Sequence, residues 1–258
     1  MQDLRVTLVQ SHLHWEDAAE NRALFATRFK GLKGATDLVV LPEMFTTGFS
    51  MRSAELAEGM DGRTVQWMRE QALAMDAALY GSVIMEDGGR CYNRGLFVTP
   101  DGSVTTYDKR HLFRFAKETD HFTPGGSRVI VEWRGWRILL QICFDLRFPV
   151  FARNRGDYDA VLYVANWPEV RRYPWSQLLI ARAIENQCAV VGLNRVGQDG
   201  NGHLYSGDSA VIDPRGAVTA MDPGADGMLT STLDRKALED FRSVFPVGME
   251  ADRFDLHL

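Results

Sequence analysis

Residues 128–143 read "RVIVEWRGWRILLQIC". Two β-rich runs flank Arg134-Gly135, a dipeptide suited to a tight turn, so the stretch predicts a hairpin. Its second arm is apolar from Leu139 to Ile142 and stops at Cys143. "NRGLFVTPDGSVTTYD" (93–108) is a second hairpin, turning at Pro-Asp-Gly, and "GDSAVIDPRGAVTA" (207–220) is a third, around "DPRG".

Around these hairpins, strands and helices alternate. "LRVTLVQ" (4–10), "DLVVLPE" (37–43) and "LYGSVIM" (79–85) read as strands. Between them, residues 17–33 space Leu24, Phe25, Phe29 and Leu32 helically, and residues 63–79 place Val65, Met68, Ala72, Met75 and Leu79 on one helical face. A β-α-β-α-β order predicts parallel strands joined by helical crossovers. Downstream come a helix at "PVFARN" (149–154) opened by Pro149, a strand at "DAVLYVANW" (159–167), and a helix at "PWSQLLIARAIENQ" (174–187). Strands at "CAVVGLN" (188–194) and "MLTSTLD" (228–234) follow, then a helix over 234–242. Crossovers combined with hairpins predict an α/β chain whose mixed strands form two stacked sheets, in a single domain over residues 1–258. "GQDGNGHLYSGD" (197–208) is the loosest segment. It does not have the G-x-G-x-x-G spacing of a dinucleotide loop.

The chain is 45% hydrophobic and 24% charged, enough for a sizeable core. Its net charge of −5 and lack of a basic tract argue against nucleic-acid binding. No apolar run is long enough to span a membrane, and the first residues do not read as a signal peptide. Cys91, Cys143 and Cys188 are odd in number and form no C-x-x-C pair. That argues against a disulfide framework or a structural zinc site, and for a reduced, cytoplasmic setting.

Chemistry in α/β folds gathers beyond the carboxyl ends of strands. Three polar groups stand there: Glu43 after "LVVLP", Lys109 after "VTTYD" and Cys143 after "ILLQI". Taken singly, each has a plainer reading as a solvated cap, an exposed lysine or a core cysteine. Together they form a chemical set. A cysteine nucleophile needs a base for its proton or a cation for its thiolate. A buried carboxylate can shuttle protons near neutral pH. An ammonium can stabilise the oxyanion of a tetrahedral intermediate. A sharp turn at Cys143 would aim the Phe144 N–H at that oxyanion.

"LPEMFTTGF", "YDKRHLF" and "ICFDLRFP", in that order, resemble the Glu-Lys-Cys blocks of the nitrilase (carbon–nitrogen hydrolase) superfamily. "YDAVLYVANWP", "ARAIENQCAVVGLNRVG" and "GDSAVIDPRG" resemble its later blocks. The resemblance implies a four-layer α-β-β-α sandwich of two mixed sheets flanked by helices. It implies that Cys143 is the nucleophile, Glu43 the general base and later acid, and Lys109 the oxyanion stabiliser. Glu118 would be the family's second, orienting glutamate, although many members carry Gly-Glu where this chain has Lys117-Glu118. "CFD", taken with "PEMFTTGFSM", "YDKRHLFRFA" and "YVANWP", is most similar to the omega-amidase branch, which hydrolyses the terminal amide of 2-oxoglutaramate or 2-oxosuccinamate without cofactor or metal. A homodimer is implied as well.

Such a substrate's remote carboxylate calls for a cation. Arg147 is the first candidate, because a planar guanidinium suits a carboxylate. It could instead pair internally with Asp145 or Glu118. Arg114 is a second candidate, and Phe113 and Trp167 are candidate apolar walls. Other readings are an amidase for deaminated glutathione or a carbamoyl compound, a Cys-His enzyme using His111, and a non-enzymatic redox sensor. The absence of a resolving cysteine near Cys143 counts against the sensor.

Overall fold

The computed structural model describes residues 2–256. Residues 1, 257 and 258, which the single-domain expectation includes, lie outside the described residues. The first sheet is built from β1 (Leu4–Gln10), β2 (Leu38–Val40), β3 (Ala78–Asp87), β4 (Arg90–Val98) and β5 (Val104–Asp108). The second takes β6 (Ile130–Trp133), β7 (Trp136–Ile142), β8 (Ala160–Ala165) and β9 (Ala189–Asn194). After a separate hairpin of β10 (Val196–Gln198) and β11 (Leu204–Ser206), β12 (Ala210–Ile212) and β13 (Val218–Ala220) complete the second sheet. The last strand, β14 (Gly227–Leu233), returns to the first. The two six-stranded orders are β14-β1-β2-β3-β4-β5 and β13-β12-β9-β8-β7-β6. Both sheets are mixed: β1, β2 and β3 are parallel, as are β7, β8 and β9, and antiparallel strands flank each trio.

Period-two alternation explains the layering. Leu4, Val6 and Leu8, with Leu38 and Val40, face inward and share one core with Ile138, Leu140 and Ile142 of the other sheet. The alternate residues Val9, Val39 and Leu79 face outward and pack with Phe25, Val65, Met68 and Ala72 of α1 (Ala18–Arg28) and α3 (Arg63–Met75). The short α2 (Ser53–Leu56) lies between these two helices in the chain. The remaining helices are α4 (Glu118–His121), α5 (Pro149–Ala152), α6 (Arg172–Asn186) and α7 (Arg235–Val244). A Cβ on Gly192 of β9 would meet Leu179 of α6 at 2.4 Å, so that glycine permits the close seating of α6 on the second sheet. Helix, sheet, sheet and helix therefore stack as the four expected layers.

The hairpin of 128–143 turns where expected, with Arg134 at φ 48° and Gly135 at φ 82°. Its turn also ties the sheets together: the Trp133 indole donates to Asp37 O (2.8 Å) and the Trp136 indole to Gln2 O (3.0 Å).

Three local expectations need correction. The helix over 63–79 stops at Met75, because Asp76 takes a left-handed φ of 53° and ends it, and Leu79 belongs to β3. The helix over 17–33 stops at Arg28; Phe29 and Leu32 are still buried, but Gly31 at φ 87° redirects the chain. The glycine-rich 197–208 segment is the β10–β11 hairpin, seated against His12 and Trp15. Among the described residues no helix is long and apolar enough to cross a membrane.

Candidate active site

Glu43, Lys109 and Cys143 each follow the end of a strand, β2, β5 and β7 respectively, and the stacked sheets bring those ends together. The loop bearing Glu43 lies on β3: Leu41 N donates to Tyr80 O (2.7 Å) and Phe45 N to Ser82 O (3.1 Å). Gly81 makes this approach possible, since a Cβ there would stand 2.8 Å from that of Leu41. Lys109 N donates to Asn93 O and Gly125 N to Lys109 O, both at 3.0 Å, fixing the lysine between two backbone segments.

Lys109 Nζ is fully buried between two fully buried carboxylates. It donates to Glu43 Oε1 (2.8 Å) and to both oxygens of Glu118 (2.9 and 3.0 Å). The Asn93 amide donates to Glu43 Oε1 (2.8 Å) and Glu118 Oε1 (3.2 Å), and its own oxygen accepts from Ser82 Oγ (2.7 Å). Phe113 N–H holds the other Glu118 oxygen at 2.5 Å. Glu43 Oε2 accepts from Asn166 N (2.8 Å), while the Asn166 amide donates to Glu43 O (2.6 Å). Every carboxylate oxygen thus has a donor, which is what makes two buried acids tolerable.

Glu118 opens α4 after Lys117, whose φ is 60°. Left-handed backbone favours glycine, which gives a physical reason for a glycine before this glutamate elsewhere.

Cys143 follows β7 at φ 46°, an unusual conformation for a non-glycine residue and one that marks a forced, sharp turn. Asp145 enforces it. Its Oδ2 accepts from Ile142 N (3.0 Å) and the Tyr107 hydroxyl (2.6 Å). Its Oδ1 accepts from His111 N (2.9 Å) and lies 2.8 Å from His111 Nδ1. Phe144 is the second residue of the ensuing helical turn, a position whose N–H has no intrahelical acceptor. The thiol lies 4.0 Å from Asn166 O.

Burial alone would push the Lys109 ammonium down, but the charges of Glu118 and Glu43 outweigh it and raise it. Burial raises Glu118, with Lys109 opposing. Burial, reinforced by the charge of Glu43, pushes the Cys143 thiol well above its ordinary range, and Lys109 only partly offsets this. The resting sulfur is therefore a thiol that needs a base at the moment of attack.

Lys109, Cys143 and Asn166 form the base of a cleft of about 580 Å³, walled by Phe49, Phe113, Phe144, Trp167 and Tyr205 and rimmed by Arg147, Arg171 and His203; Glu43 and Glu118 lie behind Lys109. Phe113 and Trp167 thus line the space above the thiol. Arg147 lies over the Trp167 ring at 4.9 Å rather than pairing with Asp145, whose oxygens are taken, or with buried Glu118. Arg114 is exposed and does not line the cleft. His111 stacks on Phe148 (centroids 3.8 Å apart) and faces Asp145; it does not line the cleft either.

Sequence reading overlooked Asn93, Asn166 and Arg171. Asn166 carried the signal that singled out Glu43, Lys109 and Cys143, being a polar residue at the end of an apolar strand. Asn93 lies inside a hairpin strand, and nothing in its neighbourhood distinguishes it.

Residues 5–243 match the sequence pattern of the family described as carbon-nitrogen hydrolase. The chain belongs to the carbon-nitrogen hydrolase family. Within it, the chain is 48% identical to the omega-amidase YafV of Escherichia coli (strain K12), over 99% of this chain and 100% of that protein. It is 33% identical to the 2-oxoglutaramate amidase of Bacillus subtilis (strain 168), over 82% of this chain and 83% of that one. Among solved structures, XC1258 of Xanthomonas campestris, a CN-hydrolase superfamily protein with an arsenic adduct in its active site, superposes with a TM-score of 0.98 at 48% identity, each chain covered completely. Nit3 of Saccharomyces cerevisiae, of the nitrilase superfamily, gives 0.85 at 26% identity, with 95% of each chain covered. The carbon-nitrogen hydrolase fold and the expected two-sheet sandwich are therefore the same arrangement.

Proposed function

We propose that this chain is an omega-amidase, hydrolysing the terminal amide of a small ω-amido 2-oxo acid such as 2-oxoglutaramate to the acid and ammonia. The observation that carries this reading is the fully buried Lys109 held between Glu43 and Glu118 beside the Cys143 thiol. Full-length likeness to the Escherichia coli omega-amidase supports the substrate class.

In the first half-reaction, Cys143 Sγ attacks the amide carbonyl while its proton passes to Glu43. The new oxyanion is met by Lys109 and the Phe144 N–H. Glu43 then gives the proton to the departing ammonia, leaving a thioester. In the second half, Glu43 takes a proton from water, whose oxygen attacks the thioester. Collapse releases the acid and returns the proton to sulfur. Glu118 touches no reacting atom in this scheme; it fixes and charges Lys109, so it acts as a positioning residue. Arg147, stacked on Trp167, offers its free edge to the substrate's remote carboxylate. Arg114, away from the cleft, has no part in the scheme.

The rival readings fit less well. A redox sensor needs an exposed thiolate of low pKa, whereas Cys143 is 8% exposed with its thiol pushed up. A Cys-His mechanism needs His111 at the sulfur, and His111 is turned to Asp145. His111→Ala is expected to lower kcat less than about tenfold, where loss of a general base would cost about 10²–10⁴-fold. Among amidases, a deaminated-glutathione or carbamoyl substrate is the alternative. Steady-state kinetics decides: kcat/KM for 2-oxoglutaramate is expected to exceed that for glutamine, asparagine and a simple nitrile by at least about 10²-fold. Equal values would overturn the assignment.

The proposal also takes the chain as a single catalytic domain in a reduced, cytoplasmic setting, which suits its three free cysteines. It includes the homodimer, supported by exposed Val170, Tyr173 and Ile184 in and beside α6 and checked by sedimentation equilibrium.

A further inference from the structure

Lys109, Arg147 and Arg171 line the cleft, and among the described residues no Asp or Glu does, in a chain whose net charge is −5. Lys109 is neutralised from behind by Glu43 and Glu118. The two arginines are not: among the described residues neither side chain makes an ion pair or a hydrogen bond, and each rests on an aromatic ring. The Arg147 guanidinium lies 4.9 Å from the centre of the Trp167 ring, and that of Arg171 lies 5.5 Å from the centre of the Phe113 ring. Stacking occupies the flat face of a guanidinium and leaves its N–H edge free to take a carboxylate.

The two platforms are joined. The Trp167 indole N–H donates to Arg171 O at 2.7 Å, so the ring under Arg147 is fixed to the backbone of Arg171. Phe113, under Arg171, packs edge-on against Phe144 with centroids 5.0 Å apart, and its N–H is held by Glu118. The rim cations are thereby held in register with the nucleophile's own turn. We infer that Arg171 is a specificity-determining residue, the second arm of a two-arginine clamp that holds the carboxylate end of an anionic amide while Cys143 attacks the other end. This rests on the amide-hydrolase reading of the cleft. It also accounts for how an acidic protein draws in an anion: a solvent-exposed pair is worth little alone, whereas two cations converging on one ligand over apolar walls make a local positive field. The plainer account is that Arg171 merely covers Phe113 with its stem.

The test compares Arg171→Gln and Arg171→Lys with wild type on 2-oxoglutaramate and on pentanamide, a neutral amide of equal chain length. The clamp predicts that Arg171→Gln raises KM for 2-oxoglutaramate about tenfold or more with kcat within about threefold. It also predicts that Arg171→Lys recovers part of the loss, and that kcat/KM for pentanamide changes less than about threefold. Equal losses on both amides would make Arg171 a wall support and overturn the proposal, as would an unchanged KM. The substrate reading fails separately. A wild-type enzyme that ignores 2-oxoglutaramate, but prefers another anionic amide over its neutral homologue and loses that preference in Arg171→Gln, would discard the substrate and uphold the clamp.

Discussion

The base and the rim of the cleft are built on opposite terms. At and behind the base, Glu43, Lys109 and Glu118 are at most 1% exposed, and their oxygens and ammonium are bonded to one another, to Asn93 and to backbone. At the rim, Arg147 and Arg171 are exposed and held only by stacking. A buried charge must be fully partnered or the fold fails, so the base is over-determined and can host only one chemistry. Rim residues can change at little cost in stability, so that is where a substrate can be chosen. The two regions should therefore respond differently to mutation: losses of rate and stability together at the buried charges of the base, losses of selectivity alone at the rim.

The largest effect belongs to the sulfur. Cys143→Ala is expected to cut ammonia release by at least about 10⁴-fold while leaving the thermal midpoint near wild type, since little volume is lost. Lys109→Gln comes next and carries a penalty the sulfur does not. It leaves Glu43 and Glu118 facing each other without a cation, and a broken buried pair costs about 3–5 kcal/mol. Urea unfolding and kinetics on the same preparation would check both losses; wild-type stability would contradict the contrast between base and rim.

Glu118 gives a pH signature. Burial raises it above its usual 4.5 despite Lys109, so the folded chain binds its proton more tightly than the unfolded chain does. Its contribution to stability is fully present below pH 4.5 and is lost as the pH rises through the folded value. Glu118→Gln removes that component, so the variant's unfolding free energy should fall less than wild type's as the pH rises above about 4.5. Parallel urea midpoints across that range would contradict it. The smallest effect is at Lys117, whose φ of 60° suits glycine better. Lys117→Gly is expected to stabilise the fold by about 0.5–1 kcal/mol without changing kcat.

What the sequence made legible follows the same division. Strands whose apolar residues fill both faces announce themselves as short continuous runs, as β2, β7 and β8 did, and polar groups at their ends mark the base. The turns at Asp76 and Gly31 were harder, because left-handed conformations are imposed by the packing of neighbouring elements as well as by residue type. Asn93 was invisible: its role depends on the β3–β4 and β4–β5 pairings that carry it under Glu43. Arg171 was missed because its partner ring, Phe113, is 58 positions away and only the closed fold brings them together.

The central claim is that Cys143 forms an acyl-enzyme. It is tested most directly by adding hydroxylamine during turnover of glutaramate, an ω-amide without the 2-oxo group that hydroxylamine would attack. The account predicts that part of the acyl group appears as hydroxamate, rising with hydroxylamine concentration at the expense of the acid, and that none appears with Cys143→Ala. Continued ammonia release with the acid as the sole product at every hydroxylamine concentration would contradict it.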